Sequence, residues 1–217
     1  MASAIPDPRR KSFDVTALLA DAMALHRAGR LANAESAYNR ILAVDPEQCD
    51  CLHLLGVILR QRGKPAQAVA QIDLSLAKNP NNAAAWSNRG TALYELKLFD
   101  DAIASNDRAL AIVPDFAFAL SNRGAALFAL GRFDEAVASY NRALAAQPDY
   151  IEALSNRGNA LTKLKRFDQA LASFDRALAV RPDYAEAHVN RGVVLQELKC
   201  LDAVSYTHLR AHETGRN

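Results

Sequence analysis

Apolar and small residues along most of this chain recur at steps of three and four, which is the spacing of an α-helix rather than of a strand. In the stretch 83–116, Trp86, Leu93 and Leu96 mark one face of a first predicted helix, and a second apolar face begins at Phe99. A short break separates the two faces. The same succession of two helices recurs along the chain, so the pattern predicts an all-α protein built from helix pairs.

The helix pairs repeat with a fixed period of 34 residues, which is the spacing expected of a repeat architecture. The tetrapeptide SNRG occurs three times and the near-copy VNRG follows once, at Ser87–Gly90, Ser121–Gly124, Ser155–Gly158 and Val189–Gly192. Counting the glycine as the eighth residue gives five full units and a partial sixth. The predicted array spans 15–203, after a flexible N-terminal segment at 1–14, and its units are 15–48, 49–82, 83–116, 117–150, 151–184 and 185–203.

The eighth position of the unit is glycine in every unit except the first, which has Ala22. A glycine inside a helix costs about 1 kcal/mol relative to alanine, so its repetition needs a compensating reason. We expect a neighbouring helix to pack closely against it. The alanine at the twentieth position of all five full units is the expected small counterpart, at Ala34, Ala68, Ala102, Ala136 and Ala170.

The ends of the predicted helices carry their own signals. Three glycines fill the break within a unit, where left-handed backbone is expected, at Gly29, Gly63 and Gly131. Aspartates suited to the positive end of the helix dipole open the second helix, at Asp100, Asp134 and Asp168. Proline ends each full unit, and the aspartate after it is predicted to cap the next first helix, at Asp115, Asp149 and Asp183.

A consensus of aromatic or leucine at four, glycine at eight, alanine at twenty, aromatic at twenty-four, alanine at twenty-seven and proline at thirty-two resembles the tetratricopeptide repeat. The resemblance covers Val15 to about Ala203 and implies antiparallel helix pairs stacked into a right-handed superhelical solenoid with a concave groove. Pro65 and Asn106 depart from the consensus, as Ala22 does. Asn106 replaces an apolar residue, and we expect it to be partly exposed or hydrogen-bonded across a helix interface.

In this family the first helix of each pair lines the concave groove. The sixth residue of the last four units is an asparagine, at Asn88, Asn122, Asn156 and Asn190, whereas the first two units have Ala20 and Leu54. The row resembles the repeats of the O-GlcNAc transferase family, in which asparagines at this place hold the backbone of protein substrates. An amide both donates and accepts, so it can pair with a peptide backbone. The alternative is that these asparagines are simply solvated.

Further candidates for the peptide-binding groove are Asn159 at the ninth position and Tyr94 and Phe128 at the twelfth, although both aromatic rings could equally belong to the core. A basic clamp for a C-terminal carboxylate is rejected, because the fifth position is serine or valine in the SNRG and VNRG units.

Arginines occupy the seventh position, at Arg89, Arg123, Arg157 and Arg191. They could bind phosphate or an acidic peptide, but the favoured interpretation is that their stems cover the adjacent helix. Their guanidinium groups would then meet Asp107 or Asp175.

Composition adds few constraints. The chain is 50% apolar, 23% charged and carries a net charge of +2, which argues against a dedicated nucleic-acid binder. No apolar run suits a membrane span or a secretory signal, and three cysteines fit a reduced, cytoplasmic setting.

No catalytic motif is present, and we expect neither enzyme activity nor a cofactor. Cys49, Cys51 and His53 lie close together in the sequence, but no fourth zinc ligand is evident, so no metal site is expected.

The repeat ends after Ala203. The stretch 204–217 does not continue it and looks like a non-native tail, and we expect looser order there. The predicted function is a protein–protein interaction scaffold, typical of bacterial repeat proteins, that binds extended peptides in its groove. The alternatives are the substrate-recognition arm of a truncated O-GlcNAc transferase-like glycosyltransferase and, with less support, self-assembly through the exposed end of the array.

Overall fold

The computed structural model describes the backbone of residues 15–214 and the side chains of residues 15–199. The predicted segment 1–14 therefore lies outside the described residues, as do the side chains of the predicted tail at 204–217. Between residues 15 and 214 the chain forms eleven α-helices and no strand, so the predicted all-α class is confirmed. The helices are α1 (Val15–Arg27), α2 (Leu31–Leu42), α3 (Cys49–Gln61), α4 (Pro65–Lys78), α5 (Ala83–Glu95), α6 (Phe99–Ile112), α7 (Ala117–Ala129), α8 (Phe133–Ala146), α9 (Ile151–Lys163), α10 (Phe167–Val180) and α11 (Ala185–Thr214).

Each helix packs against the next one along the chain, which gives a stack of helix pairs. From α3 onwards, each odd-numbered helix also contacts the following odd-numbered helix. The first helices of successive pairs therefore lie side by side on the inner side of the stack. One continuous buried core extends from α5 to α11, and a second lies among α1, α2 and α3.

Four of the five eighth-position glycines, Gly56, Gly90, Gly124 and Gly158, lie in close contact with the second helix of the same pair, as predicted. A Cβ at Gly158 would stand 2.6 Å from the Phe174 ring, and a Cβ at Gly56 would stand 2.5 Å from Ile72. The residue that covers the glycine is thus the twenty-fourth of the unit. The prediction that the alanine at the twentieth position packs against this glycine was only partly right. Ala68 approaches the Cβ position of Gly56 through its carbonyl oxygen, at 3.1 Å, and not through its side chain.

Asn106 is fully buried, and the second of the two expected outcomes, a hydrogen bond across a helix interface, is confirmed. Its Oδ1 accepts a hydrogen bond from the Ser87 hydroxyl of α5 at 3.0 Å, and its Nδ2 donates to the Ala102 carbonyl at 2.9 Å. Both polar atoms of this buried amide are therefore satisfied.

The break within each pair is a left-handed turn. Gly29, Gly63 and Gly131 have φ of 71°, 72° and 75°, as predicted, and Lys97 and Lys165 adopt the same region at the equivalent places. In each turn a backbone N–H reaches the carbonyl five residues earlier, for example Arg132 to Leu127 at 2.9 Å. This bond satisfies a carbonyl that the helix end would otherwise leave open.

The predicted aspartate caps are wrong for α7 and α9. The residue before each helix is Phe116 or Tyr150, and neither side chain accepts a capping bond. Asp115 and Asp149 stand one residue too early, because the turn after the proline is longer than the sequence pattern suggested. Asp183 precedes α11 by the same distance. The side chains that do cap first helices are Gln48 at α3 and Asn82 at α5, and the aspartates that open the second helices lie in the first turn as expected.

The last helix, α11, differs from the first helices before it. It runs for 30 residues, past Ala203, and a Cβ at Gly192 would meet nothing within 4 Å. Val189 and Val193 on the same helix are exposed. The predicted looser order after Ala203 stays a prediction.

Candidate functional site

The inner side of the stack contains a cavity of about 450 Å³ between the first helices of three successive pairs. Residues of α5, α7 and α9 form its walls, and one residue of α8 contributes to its floor. The lining consists of Thr91, Tyr94, Glu95, Asn122, Ala125, Phe128, Tyr140, Asn156 and Asn159. Amides and aromatic rings therefore line one space, which we call the groove cavity.

Five of the seven groove residues predicted from the sequence meet in this cavity: Tyr94, Asn122, Phe128, Asn156 and Asn159. The other two, Asn88 and Asn190, occupy equivalent places on α5 and α11 but are not among the residues that line it. The row of asparagines thus follows the first helices, and its two middle members share the cavity.

Three of the four asparagines are tied to the preceding first helix. Asn122 donates through Nδ2 to the Thr91 hydroxyl at 3.0 Å and to the Ser87 hydroxyl at 3.3 Å. Asn190 donates through Nδ2 to Oδ1 of Asn159 at 2.8 Å. These bonds hold the amides in fixed orientations and leave the Oδ1 atoms of Asn122 and Asn190 as acceptors.

The third tied amide belongs to Asn88, whose Nδ2 lies 2.8 Å from Nε2 of His53 on α3. His53 is buried, and burial lowers its pKa because the charged imidazolium loses solvation. The neutral ring can therefore accept the amide N–H through Nε2. Sequence reasoning did not find this contact, because the equivalent residue of the next three units is serine.

Asn156 is the exception in the row. Its amide is half-buried in the wall of the groove cavity, yet it has no hydrogen-bond partner among the side chains and backbone of residues 15–199. The amide of Asn156 can thus both donate to and accept from a bound molecule.

The aromatic residues form the apolar part of the cavity. Tyr94 packs against Phe99 with ring centroids 5.4 Å apart, and Phe128 packs in the same way against Phe133 at 5.3 Å. Phe128 also packs against the buried core, whereas Tyr94 is exposed, so the core alternative drawn from the sequence holds for Phe128 alone. Tyr140 is buried, and burial raises the pKa of its hydroxyl, so this floor residue stays neutral.

Thr91 and Tyr140 are lining residues that sequence reasoning missed. Thr91 stands at the ninth position, on the same helical stripe as the asparagines, so its place could have been found from the spacing alone. Tyr140 stands at the twenty-fourth position, where the consensus predicts only a core residue, and nothing in the sequence indicates its role in the cavity floor.

Three of the four arginines at the seventh position bind an aspartate of the preceding unit, so the favoured interpretation is confirmed for Arg89, Arg123 and Arg191. Nε of Arg123 lies 2.7 Å from Asp107, and Nε of Arg191 lies 2.6 Å from Asp175. Arg89 pairs with Asp73 in the same way, at 2.6 Å.

Neither a metal nor a membrane site emerges from the described residues. No group of three or more histidine, cysteine or acidic side chains within them could hold a metal ion. Cys51 is buried, which raises the pKa of its thiol to about 12 and keeps it protonated. No helix in this part of the chain combines the length and the apolar character needed to cross a membrane.

Two sequence profiles described as tetratricopeptide repeat match the chain, one at residues 53–117 and the other at residues 115–183. Together they span more than half of the chain. The chain belongs to the tetratricopeptide-repeat family, as the resemblance implied. No curated protein shows a significant match to it.

Solved structures share the fold. TTC0263, a thermophilic TPR protein of Thermus thermophilus, superposes with a TM-score of 0.70 at 23% identity, covering 84% of this chain and 99% of that one. YrrB, a TPR protein with an unusual peptide-binding site, superposes with a TM-score of 0.64 at 21% identity, covering 82% and 92%. The first TPR of Spaghetti (RPAP3), bound to the HSP90 peptide SRMEEVD, gives 0.53 at 26% identity, covering 54% and 93%.

Proposed function

We propose that this chain is a protein-interaction scaffold that binds an extended peptide segment along its first helices, without catalysing a reaction. The observation that carries the proposal is the unpartnered amide of Asn156 in the wall of the groove cavity. A half-buried amide without a partner gains most from a ligand that supplies both a donor and an acceptor. An extended peptide backbone supplies both at every residue.

The spacing of the amides fits such a ligand. Asn122 and Asn156 face the same cavity from adjacent first helices, and Asn122 is held in place by Thr91. Amides fixed before binding lose less entropy when a ligand arrives. Because backbone groups are the same in every peptide, this row would contribute affinity rather than sequence specificity.

Tyr94 and Phe128 would add the specificity. Both rings border the cavity beside the amides, and a volume of about 450 Å³ accommodates a large apolar side chain. We therefore expect bound peptides to carry an aromatic or long aliphatic residue that enters between these rings.

Two solved relatives in fold agree with a peptide ligand, since YrrB has a peptide-binding site and the Spaghetti repeat binds a peptide. The alternative function, in which this chain is the substrate-recognition arm of a glycosyltransferase, would use the same groove. No separate observation favours it over the scaffold function. The reduced, cytoplasmic setting stays a prediction.

The test is selection of peptides from a random displayed library on the full chain, followed by hydrogen exchange of the complex. We expect the selected peptides to share an apolar residue and to slow exchange in α7 and α9. Peptides that protect only the second helices would contradict the groove as the binding surface.

A further inference from the structure

The row of arginine–aspartate pairs between successive units has one gap. In three junctions the seventh-position arginine pairs with the aspartate at the twenty-fifth position of the preceding unit, in Arg89–Asp73, Arg123–Asp107 and Arg191–Asp175. In the fourth junction, Arg157 faces Asn141 instead. The first unit also has an asparagine there, Asn39, but the unit after it has Leu55 in place of the arginine. Arg157 is therefore the seventh-position arginine whose aspartate is missing.

The missing carboxylate changes the contacts of the guanidinium group. Nε of Arg123 binds Asp107 at 2.7 Å, and its Nη1 donates to the Ser139 hydroxyl at 2.7 Å. In Arg157 the Nε donates to the Ser173 hydroxyl and the Nη1 donates to Oδ1 of Asn141, each at 3.1 Å. Both bonds of Arg157 are longer and go to neutral acceptors, and its Nη2 has no partner among residues 15–199.

The surroundings of Arg157 leave its charge uncompensated. Arg157 is half-buried, and the positive charge on Arg176 lies near enough to act on it. Burial, and then that neighbouring charge, lower the pKa of the Arg157 guanidinium, while no acidic group acts in the opposite direction. Arg176 itself donates to the Pro148 carbonyl, a neutral acceptor. A partly desolvated cation of this kind is stabilised by an anion that reaches it.

An open crevice of about 200 Å³ leads to this guanidinium. It lies between the second helices α8 and α10, with α9 as its floor, and its lining is Val137, Asn141, Arg157, Leu161, Gln169 and Ala172. Val137, Leu161 and Ala172 suit the methylene stem of a side chain. The guanidinium of Arg157, which bonds to α8 and α10 on either side of the crevice, suits a carboxylate. Asn156 and Arg157 are adjacent on α9, so the crevice opens on a different face of this helix from the groove cavity.

We propose that this crevice is a second binding site, which takes the carboxylate of an acidic side chain of a partner protein. The three complete junctions indicate the ligand, because each one places a carboxylate oxygen on the equivalent arginine. The carboxylate of the partner's aspartate or glutamate would pair with Arg157, in the place that an aspartate occupies in the other junctions and that the neutral Asn141 occupies here. This site does not rest on the peptide groove and can be tested separately.

The probe is N-acetylglutamate amide, which carries one side-chain carboxylate, and its neutral analogue N-acetylglutamine amide. Each is titrated into the ¹⁵N-labelled full chain at constant ionic strength, and the arginine Nε–Hε resonances are followed by NMR. The Arg157 resonance is assigned from its loss in Arg157→Lys. We expect it to shift to saturation with the glutamate probe and to stay in place with the glutamine probe.

Two matched variants make the test decisive. Asn141→Asp restores the internal ion pair and should abolish the response of Arg157, whereas Asp107→Asn should create a new response at Arg123. Equal shifts with both probes, or an undiminished response in Asn141→Asp, would overturn the proposal. So would a saturating shift with inorganic phosphate in the absence of any shift with the glutamate probe, because the site would then be one for phosphate.

Discussion

The ring of Tyr140 lies over the backbone of Gly124 so closely that a Cβ on residue 124 would stand 2.7 Å from the ring atom Cε1. Tyr140 is buried and cannot move aside without disturbing the core around it. The same relationship joins Gly158 to Phe174 in the next unit. Contact between a glycine on the first helix and a large residue on the second therefore lets the two helices of these pairs approach closely, and in the pair of α7 and α8 it involves Tyr140, which also lines the groove cavity.

Alanine at residue 124 should therefore destabilise the protein. We expect Gly124→Ala to lower the free energy of unfolding by about 1–3 kcal/mol, because overpacking exceeds the gain in helix propensity. Gly192→Ala is the matched control, since nothing lies within 4 Å of its added Cβ, and it should stabilise the chain by up to about 1 kcal/mol. Urea denaturation of both variants measures the difference. Equal effects of the two substitutions would show that the contact with Tyr140 is unimportant.

Removal of the buried amide of Asn106 should leave the Ser87 hydroxyl without its acceptor. We expect Asn106→Ile to lower the free energy of unfolding by about 1–3 kcal/mol for this reason. Isoleucine is the residue that the second unit carries at the same position, as Ile72. Adding Ser87→Ala should restore a large part of the loss, because the unpaired hydroxyl is then gone, while Asn122 keeps its hydrogen bond to Thr91. The free energies of unfolding of the two single variants and the double variant give the coupling. Purely additive effects would contradict a specific bond between these side chains.

His53 should make stability depend on pH. Burial lowers its pKa in the folded chain, so below its ordinary value of about 6.5 the unfolded chain binds a proton that the folded chain does not. The free energy of unfolding is therefore unaffected by His53 protonation above about pH 6.5, and it decreases as the pH falls from that value towards the pKa of His53 in the folded chain. Protonation would also place a hydrogen on Nε2, the atom that faces Asn88.

The matched variant is His53→Ser, which carries the residue found at this position in the next three units. Relative to it, the wild-type chain should lose free energy of unfolding between pH 7 and pH 5. The difference between the two chains separates the histidine from the carboxylates that titrate in the same range. A difference that does not change with pH would contradict a buried, neutral His53.

Much of the fold follows from the sequence because each unit repeats the same physical constraint. The three- and four-residue spacing predicted the helices, and the recurring glycine indicated the close packing that Gly124 and Gly158 make. The turn lysines were not predictable, because Lys97 and Lys165 adopt left-handed backbone only where the repeat imposes it. The caps failed at Asp115 and Asp149 because a shift of one residue in the turn moves a carboxylate out of capping position.

The candidate site was predictable in part for a similar reason. Asn122 and Asn156 are separated by one full repeat of 34 residues, so they occupy the same position on successive first helices. The sequence therefore placed them on one surface of the stack. Which of them meet in a cavity depends on the packing of whole helices, and the sequence therefore did not separate Asn156 from Asn88. The partner of Asn88, His53, lies in an earlier and more divergent unit.

The central claim is that the amides of the groove cavity bind a peptide backbone. It is tested most directly by measuring the affinity of a library-selected peptide for the double variant Asn122→Ala, Asn156→Ala. Loss of hydrogen bonds worth about 0.5–1.5 kcal/mol each should weaken binding by roughly tenfold, as measured by isothermal titration calorimetry. The control Asn81→Ala, exposed in the loop between α4 and α5, should bind as the wild type does, and circular dichroism should show equal helicity in all three chains. An unchanged affinity in the double variant would contradict the claim.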